Sequence, residues 1–86
     1  MTTPAVTVYT MPNCQPCRIT KRKLDASGAT YTEVDVTKDP AALEFVKSLG
    51  YTGAPVVHVA TDEWDEHWYG LNVALIETHI THRAAA

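Results

Sequence analysis

Valines alternate with polar or amphipathic residues at the start of the chain. Val6 and Val8 stand against Thr7 and Tyr9, the period-two pattern of a half-buried strand, which predicts β-structure over residues 5–10. A Met11-Pro12-Asn13 turn follows, and a helix is expected over residues 15–26. Pro16 suits its first turn, where a missing N–H costs nothing, and Ser27-Gly28 supplies a left-handed stop. Residues 30–36 read as a second strand, with Val34 and Val36 on one face and Tyr31, Glu33 and Asp35 on the other. Asp39-Pro40 is an N-cap with a first-turn proline. Ala42, Phe45, Val46 and Leu49 then recur at i, i+3, i+4 and i+7, one helical face, before Gly50 ends the helix. Val56, Val57 and Val59 favour a third strand over residues 55–60. A polar turn (61–66), a weaker strand (66–69) and a last helix (72–82, with Val73, Ile76 and Ile80 on one face) complete the chain.

The predicted order is β-α-β-α-β-β-α. Helices between strands imply parallel pairing in the first half, and the short final connection implies an antiparallel pair. The expected class is α/β: a mixed four-stranded sheet flanked by helices on both faces, in one domain spanning residues 1–86.

Charge removes several function classes. Seven Lys and Arg against ten Asp and Glu leave a formal charge of −3 over 86 residues, a mild acidity that argues against a general nucleic-acid or membrane-surface binder, which needs a basic face. With 45% hydrophobic and 20% charged residues, the chain fits a globular class. A domain of this size buries only about 60% of its unfolded surface. The longest strictly apolar run, residues 73–76, is far too short to span a bilayer. The opening Met1-Thr2-Thr3-Pro4-Ala5 lacks a basic and an apolar signal region, so a reducing cytoplasm is the expected location. The closing Ala84-Ala85-Ala86 reads as a frayed tail.

Cys14-Gln15-Pro16-Cys17 carries the chemistry. It lies between a predicted strand and a predicted helix, where unpaired N–H groups and the positive dipole end stabilise a thiolate. Arg18 and Lys21, with Arg22 and Lys23, follow in the next turns as candidates for tuning the sulfurs. Cys14, at the exposed tip, is the expected nucleophile; Cys17, one turn in, is the expected resolving thiol. The competing reading is a metal site. A zinc site needs a second ligand pair, and the chain has no other cysteine. His79 follows Cys17 by 62 positions, against roughly 12–15 in a compact finger, with His82 one turn beyond. The redox reading stands ahead of zinc and of a cluster bridging two chains through Cys14. It calls for no metal and no cofactor beyond the sulfur pair.

Ala54-Pro55 stands just before the third strand. A cis bond there would turn the backbone of Ala54 towards the cysteines, ready for an extended partner chain. The residues alone favour a plain strand-edge proline. The acidic run Asp62, Glu63, Asp65 and Glu66 around Trp64 reads as a solvated turn, or as a guide for a basic partner. Trp64 and Trp68 would share one face of a strand, and His58 would face outward or make a single hydrogen bond.

Together, the Cys14-Gln15-Pro16-Cys17 motif after a Val-Thr-Val-Tyr-Thr strand, and Gly50-Tyr51-Thr52-Gly53-Ala54-Pro55-Val56-Val57 downstream, resemble the glutaredoxin-like NrdH-redoxins. The resemblance runs over residues 6–76, and Thr20, Leu24, Asp25, Val34, Asp35, Leu49 and Gly50 also fall on family positions. It implies a thioredoxin fold with Ala54-Pro55 at a cis-proline loop, and Thr52, Trp68 and Gly70 as partner or substrate contacts. It further implies a dithiol electron carrier, reduced by thioredoxin reductase and donating to class Ib ribonucleotide reductase, for which a monomer suffices. Where the family typically has Trp-Ser-Gly-Phe-Arg-Pro-Asp, this chain has Trp68-Tyr69-Gly70-Leu71-Asn72-Val73-Ala74. Two other readings remain: a glutathione-dependent glutaredoxin, and a non-catalytic interaction domain on the same fold. Against the first, neither Met11-Pro12-Asn13 nor Gly70-Leu71-Asn72 offers charged partners for the glutathione carboxylates.

Overall fold

Hydrophobic alternation in β1 and β3 organises the molecule. The computed structural model describes residues 4–81. Its elements are β1 (Ala5–Thr10), α1 (Gln15–Ser27), β2 (Thr32–Asp35), α2 (Pro40–Ser48), β3 (Val56–Ala60), β4 (Asp65–Tyr69) and α3 (Val73–Ile76), the last continuing as a π-helical turn over Glu77–Thr81. The four strands form one sheet in the order β2-β1-β3-β4. β1 pairs parallel with β2, and β3 runs antiparallel to both β1 and β4. The expected mixed sheet is thus present, with helices on both of its faces.

Adjacent residues of a strand point to opposite faces, and β3 uses both. Val57 and Val59 join Val6, Val8 and Trp68 beneath Leu24 of α1, Ile76 of α3 and Ile80 of the π turn. Val56 turns the other way, to Val36 and to Ala42 and Val46 of α2. All three β3 valines are fully buried, each giving about 1.5–3 kcal/mol of transfer free energy. That is why β3 lies inside the sheet and the more polar β2 and β4 lie at its edges.

The helix ends follow their residues. Gly28 takes φ 77° and its N–H donates to the Asp25 and Leu24 carbonyls. Asp39 caps α2 by accepting from the Ala42 N–H at 3.1 Å, and Asn72 caps α3 by accepting from the Leu75 N–H at 3.0 Å.

Two expectations change. β2 is shorter than predicted because Tyr31 leaves the strand to pack against the α1-side core, its hydroxyl donating to Asp25 Oδ1 at 2.9 Å. The last helix is not uniform: after one α-turn it widens, burying Ile76 and Ile80 while Val73 stays 38% exposed. The expected helix end at His82 and the tail at residues 84–86 lie outside the described residues. No helix among the described residues is long and apolar enough to cross a membrane.

Candidate active site

The strand directions bring the chemistry to one end of the sheet. β1, β2 and β4 finish at the end where β3 begins, so Thr10, Asp35, Tyr69 and Pro55 stand together at that rim. α1 also starts there, immediately after β1. Asn13, with φ 59°, turns the chain into the helix, a left-handed position that asparagine tolerates.

Cys14 is the N-cap of α1, and its sulfur does what a cap oxygen ordinarily does. Pro16 has no N–H to offer, so the donor is the Cys17 N–H, 3.2 Å from Cys14 Sγ. The two sulfurs are joined in a disulfide, with Cα atoms 5.2 Å apart. Cys14 is half-buried at the tip, whereas Cys17 is only 2% exposed. The accessible sulfur therefore holds the helix's free donor and its positive dipole end, which lower a thiol's pKa. The other sulfur faces the core.

The Ala54–Pro55 bond is cis, and Pro55 is buried at the start of β3. Its carbonyl accepts from the Gly70 N–H at 2.8 Å, which fastens the proline loop to the end of β4. Gly70, at φ 86°, makes the turn that lets the chain leave β4. Thr52 is exposed on the approach to the proline and Ala54 is half-buried. Tyr69 is a neighbour not anticipated from sequence. Its hydroxyl oxygen stands 3.0 Å from where a side chain on Gly53 would begin, and its ring stacks on Tyr51 at 6.1 Å. The available signal was Gly53 itself, a glycine whose missing Cβ admits another group. Met11, Tyr69, Leu71 and Val73 leave 36%, 55%, 38% and 38% of their surfaces exposed, an apolar presence on the loop before Cys14, at the end of β4 and at the start of α3.

The candidate tuning cations behave differently from one another. Arg18 is exposed on the first turn and donates to Gln15 Oε1 at 2.9 Å. Lys21 does not reach back to the sulfurs as expected; its ammonium donates to Glu33 Oε2 on β2 at 2.7 Å. The same carboxylate oxygen lies 3.3 Å from the Thr10 hydroxyl. The carboxylate offsets the Lys21 charge, so Arg18 is the less encumbered of the two. Nearby, two hydrogen bonds from Thr37, hydroxyl first and then backbone N–H, hold the Asp35 carboxyl below its ordinary range and shape the turn into α2.

Trp68 is the clearest correction. It is 5% exposed within the α1-side core and stacks on His79 at 6.0 Å. Opposite Val57, it faces inward and has almost no surface to give a partner. Trp64 packs against the same cluster and lies 5.6 Å from His79. No group of three or more metal-binding side chains occurs among the described residues. His58 makes one polar contact, with Asp65 Oδ2 at 3.1 Å.

The profile of the glutaredoxin family matches residues 6–64. This chain belongs to the glutaredoxin family. Within it the resemblance is to the NrdH branch: the glutaredoxin-like protein NrdH of Salmonella typhimurium is 32% identical over 60 residues, covering 70% of this chain and 74% of that protein. Gene 56 protein of Mycobacterium phage L5 is 47% identical over 53 residues, or 60% of this chain, which spans 52% of that relative's length. The structure of Escherichia coli NrdH-redoxin superposes with a TM-score of 0.76 at 30% identity, over 86% of this chain and 92% of that one. The glutaredoxin chemistry is a thiol-disulfide exchange through the cysteine pair, and this chain is a thiol-disulfide oxidoreductase with that pair intact. The family match ends ahead of residues 68–74, the stretch that departs from the NrdH pattern.

Proposed function

We propose that this glutaredoxin-family protein is a dithiol electron carrier of NrdH type. Thioredoxin reductase would supply its electrons, and class Ib ribonucleotide reductase, or another protein disulfide, would receive them. The observation that carries this reading is the character of the rim beside the disulfide. It exposes Met11, Tyr69, Leu71 and Val73, side chains suited to an apolar protein surface. Neither Met11-Pro12-Asn13 nor Gly70-Leu71-Asn72 supplies a charged side chain for the glutathione carboxylates. The resemblance to Escherichia coli NrdH-redoxin, a glutaredoxin-like protein with a thioredoxin-like activity profile, supports the same choice.

In this cycle the Cys14 thiolate attacks a substrate disulfide and expels one substrate thiolate. Cys17 then attacks Cys14 Sγ, releases the second substrate thiol and closes the Cys14–Cys17 disulfide. Two electrons and two protons from the reductase dithiol restore the pair. Thr52, Ala54, Pro55 and Gly70 form the docking loop for the partner's main chain, and Arg18 adds positive potential at the helix tip. The protein works as a single domain in a reducing cytoplasm.

The test is NADPH consumption with a disulfide substrate, run with thioredoxin reductase and, in parallel, with glutathione and glutathione reductase. Turnover with thioredoxin reductase is expected. Turnover with glutathione alone overturns the reading in favour of a glutathione-dependent glutaredoxin.

A further inference from the structure

One polar group interrupts the buried stripe of α1. The helix buries Cys17, Thr20 and Leu24, at i, i+3 and i+7, so the three share its inward face. Cys17 is 2% exposed, and Thr20 is fully buried. A threonine within a helix commonly turns its hydroxyl back onto a carbonyl of the preceding turn. Thr20 Oγ1 does not, and it has no hydrogen-bond partner among the described residues. A buried hydroxyl without a partner is costly, and a valine of the same shape would fill the space without that cost. Helical side chains lean towards the N-terminus, over the preceding turn, which sets Thr20 over Cys17. In the structure the Cys17 sulfur is bonded to Cys14, and the Thr20 hydroxyl makes no hydrogen bond to it.

We propose that Thr20 is a positioning residue for the resolving sulfur: once the disulfide is reduced, the Thr20 hydroxyl donates a hydrogen bond to Cys17 Sγ. The hydroxyl is unpaired in the disulfide state and paired in the dithiol state, so it shifts the equilibrium towards the dithiol. This rests on the Cys14–Cys17 cycle described above. In that cycle a dithiol reductant delivers two electrons and two protons, the Cys14–Cys17 bond breaks, both sulfurs become thiols and the reductant becomes a disulfide. Cys17 must later attack as a thiolate. A thiolate is also the stronger acceptor. Water has little access to a sulfur that is 2% exposed, so the hydroxyl takes over the solvating role.

The experiment equilibrates wild type, Thr20→Val and Thr20→Ser against graded ratios of reduced and oxidised dithiothreitol. Alkylation traps the free thiols, and mass spectrometry counts them. Thr20→Val is expected to move the exchange constant about fivefold towards the disulfide, or about 20 mV at 29.6 mV per tenfold. Thr20→Ser, which keeps the hydroxyl, should stay within about twofold of wild type. If Thr20→Val does not fold, Thr20→Ala against Thr20→Ser makes the same comparison, since both lack the methyl group. An unchanged constant in the hydroxyl-free variant overturns the proposal. So does an equal shift in the serine variant, because the methyl group would then be responsible. Failure of the wild-type protein to be reduced in the same titration would instead remove the underlying redox cycle.

Discussion

Helices α1 and α3 pack on the same face of the sheet, start at the same end and are built differently. α1 runs for 13 residues with Cys14 as its N-cap and Gly28 as a left-handed stop. A second attachment, Tyr31 to Asp25, fixes its far end to the chain entering β2. α3 has a single α-turn after Asn72 before it widens into the π turn. Near it, two buried nitrogens, Trp68 Nε1 and His79 Nδ1, have no hydrogen-bond partner among the described residues. The contrast shows what each helix has to hold. Two sulfurs one turn apart require a regular helix with a defined beginning. A helix that only covers the sheet can accommodate a local change of pitch, provided Ile76 and Ile80 still reach the core.

The largest effect belongs to the helix that holds the sulfurs. Cys14→Ser is expected to reduce disulfide-reductase turnover to background in the NADPH assay. Cys17→Ser should stall after the first exchange, and a mixed disulfide through Cys14 should appear by mass spectrometry. The matching perturbation of α3 acts on stability. Ile76→Ala removes a side chain that is 2% exposed and is expected to cost about 2–5 kcal/mol in urea unfolding. Its thiol–disulfide exchange constant should stay at the wild-type value; a large shift would mean that α3 also sets the redox chemistry. Smaller again is the loss of the α3 cap. Asn72→Ala is expected to cost about 1 kcal/mol of stability and to leave turnover within about twofold.

The smallest effect is at the fastened end of α1. The Tyr31 phenol is pushed up to about 12, first by burial, then by its hydrogen bond to Asp25 and the charges of Asp25 and Glu33. A raised phenol pKa means that the fold favours the neutral form. Its stabilisation is therefore complete below about pH 10 and is lost as the pH climbs towards about 12. Asp25→Asn should move this titration down towards the ordinary tyrosine value, followed by the ultraviolet absorbance of the phenolate.

The same contrast separates what was legible in the sequence from what was not. The ends of α1 and α2 could be read because single residues determine them: Pro16, Gly28, Asp39 and Pro40 act through their own backbone preferences. The Cys14–Cys17 pair was legible because its spacing and its place after a strand suffice. The widening at Glu77 was not, because Val73, Ile76 and Ile80 are spaced as in an ordinary helix and the change of pitch depends on tertiary packing. Trp68 was misassigned for a related reason. Its match to a family position implied a partner contact, but period-two alternation in β4 turns it inward, opposite Val57. Lys21 lay on the expected helix, yet its partner Glu33 sits 12 residues away and becomes a neighbour only when β2 pairs with β1. Tyr69 escaped notice because only the folded sheet brings it against Gly53.

The outer strands also bear on how the protein behaves in a crowded solution. A sheet that is not closed on itself leaves two strands whose main chain could pair with another molecule and seed aggregates. Here those strands are β2 and β4. β2 is four residues long, with Thr32 and Glu33 exposed, and offers few bonds to an incoming strand. β4 opens with Asp65 and Glu66, both exposed, so two copies meeting along this side bring carboxylates together. The protein can present an apolar rim to its redox partners at one end while the sides of its sheet discourage self-association.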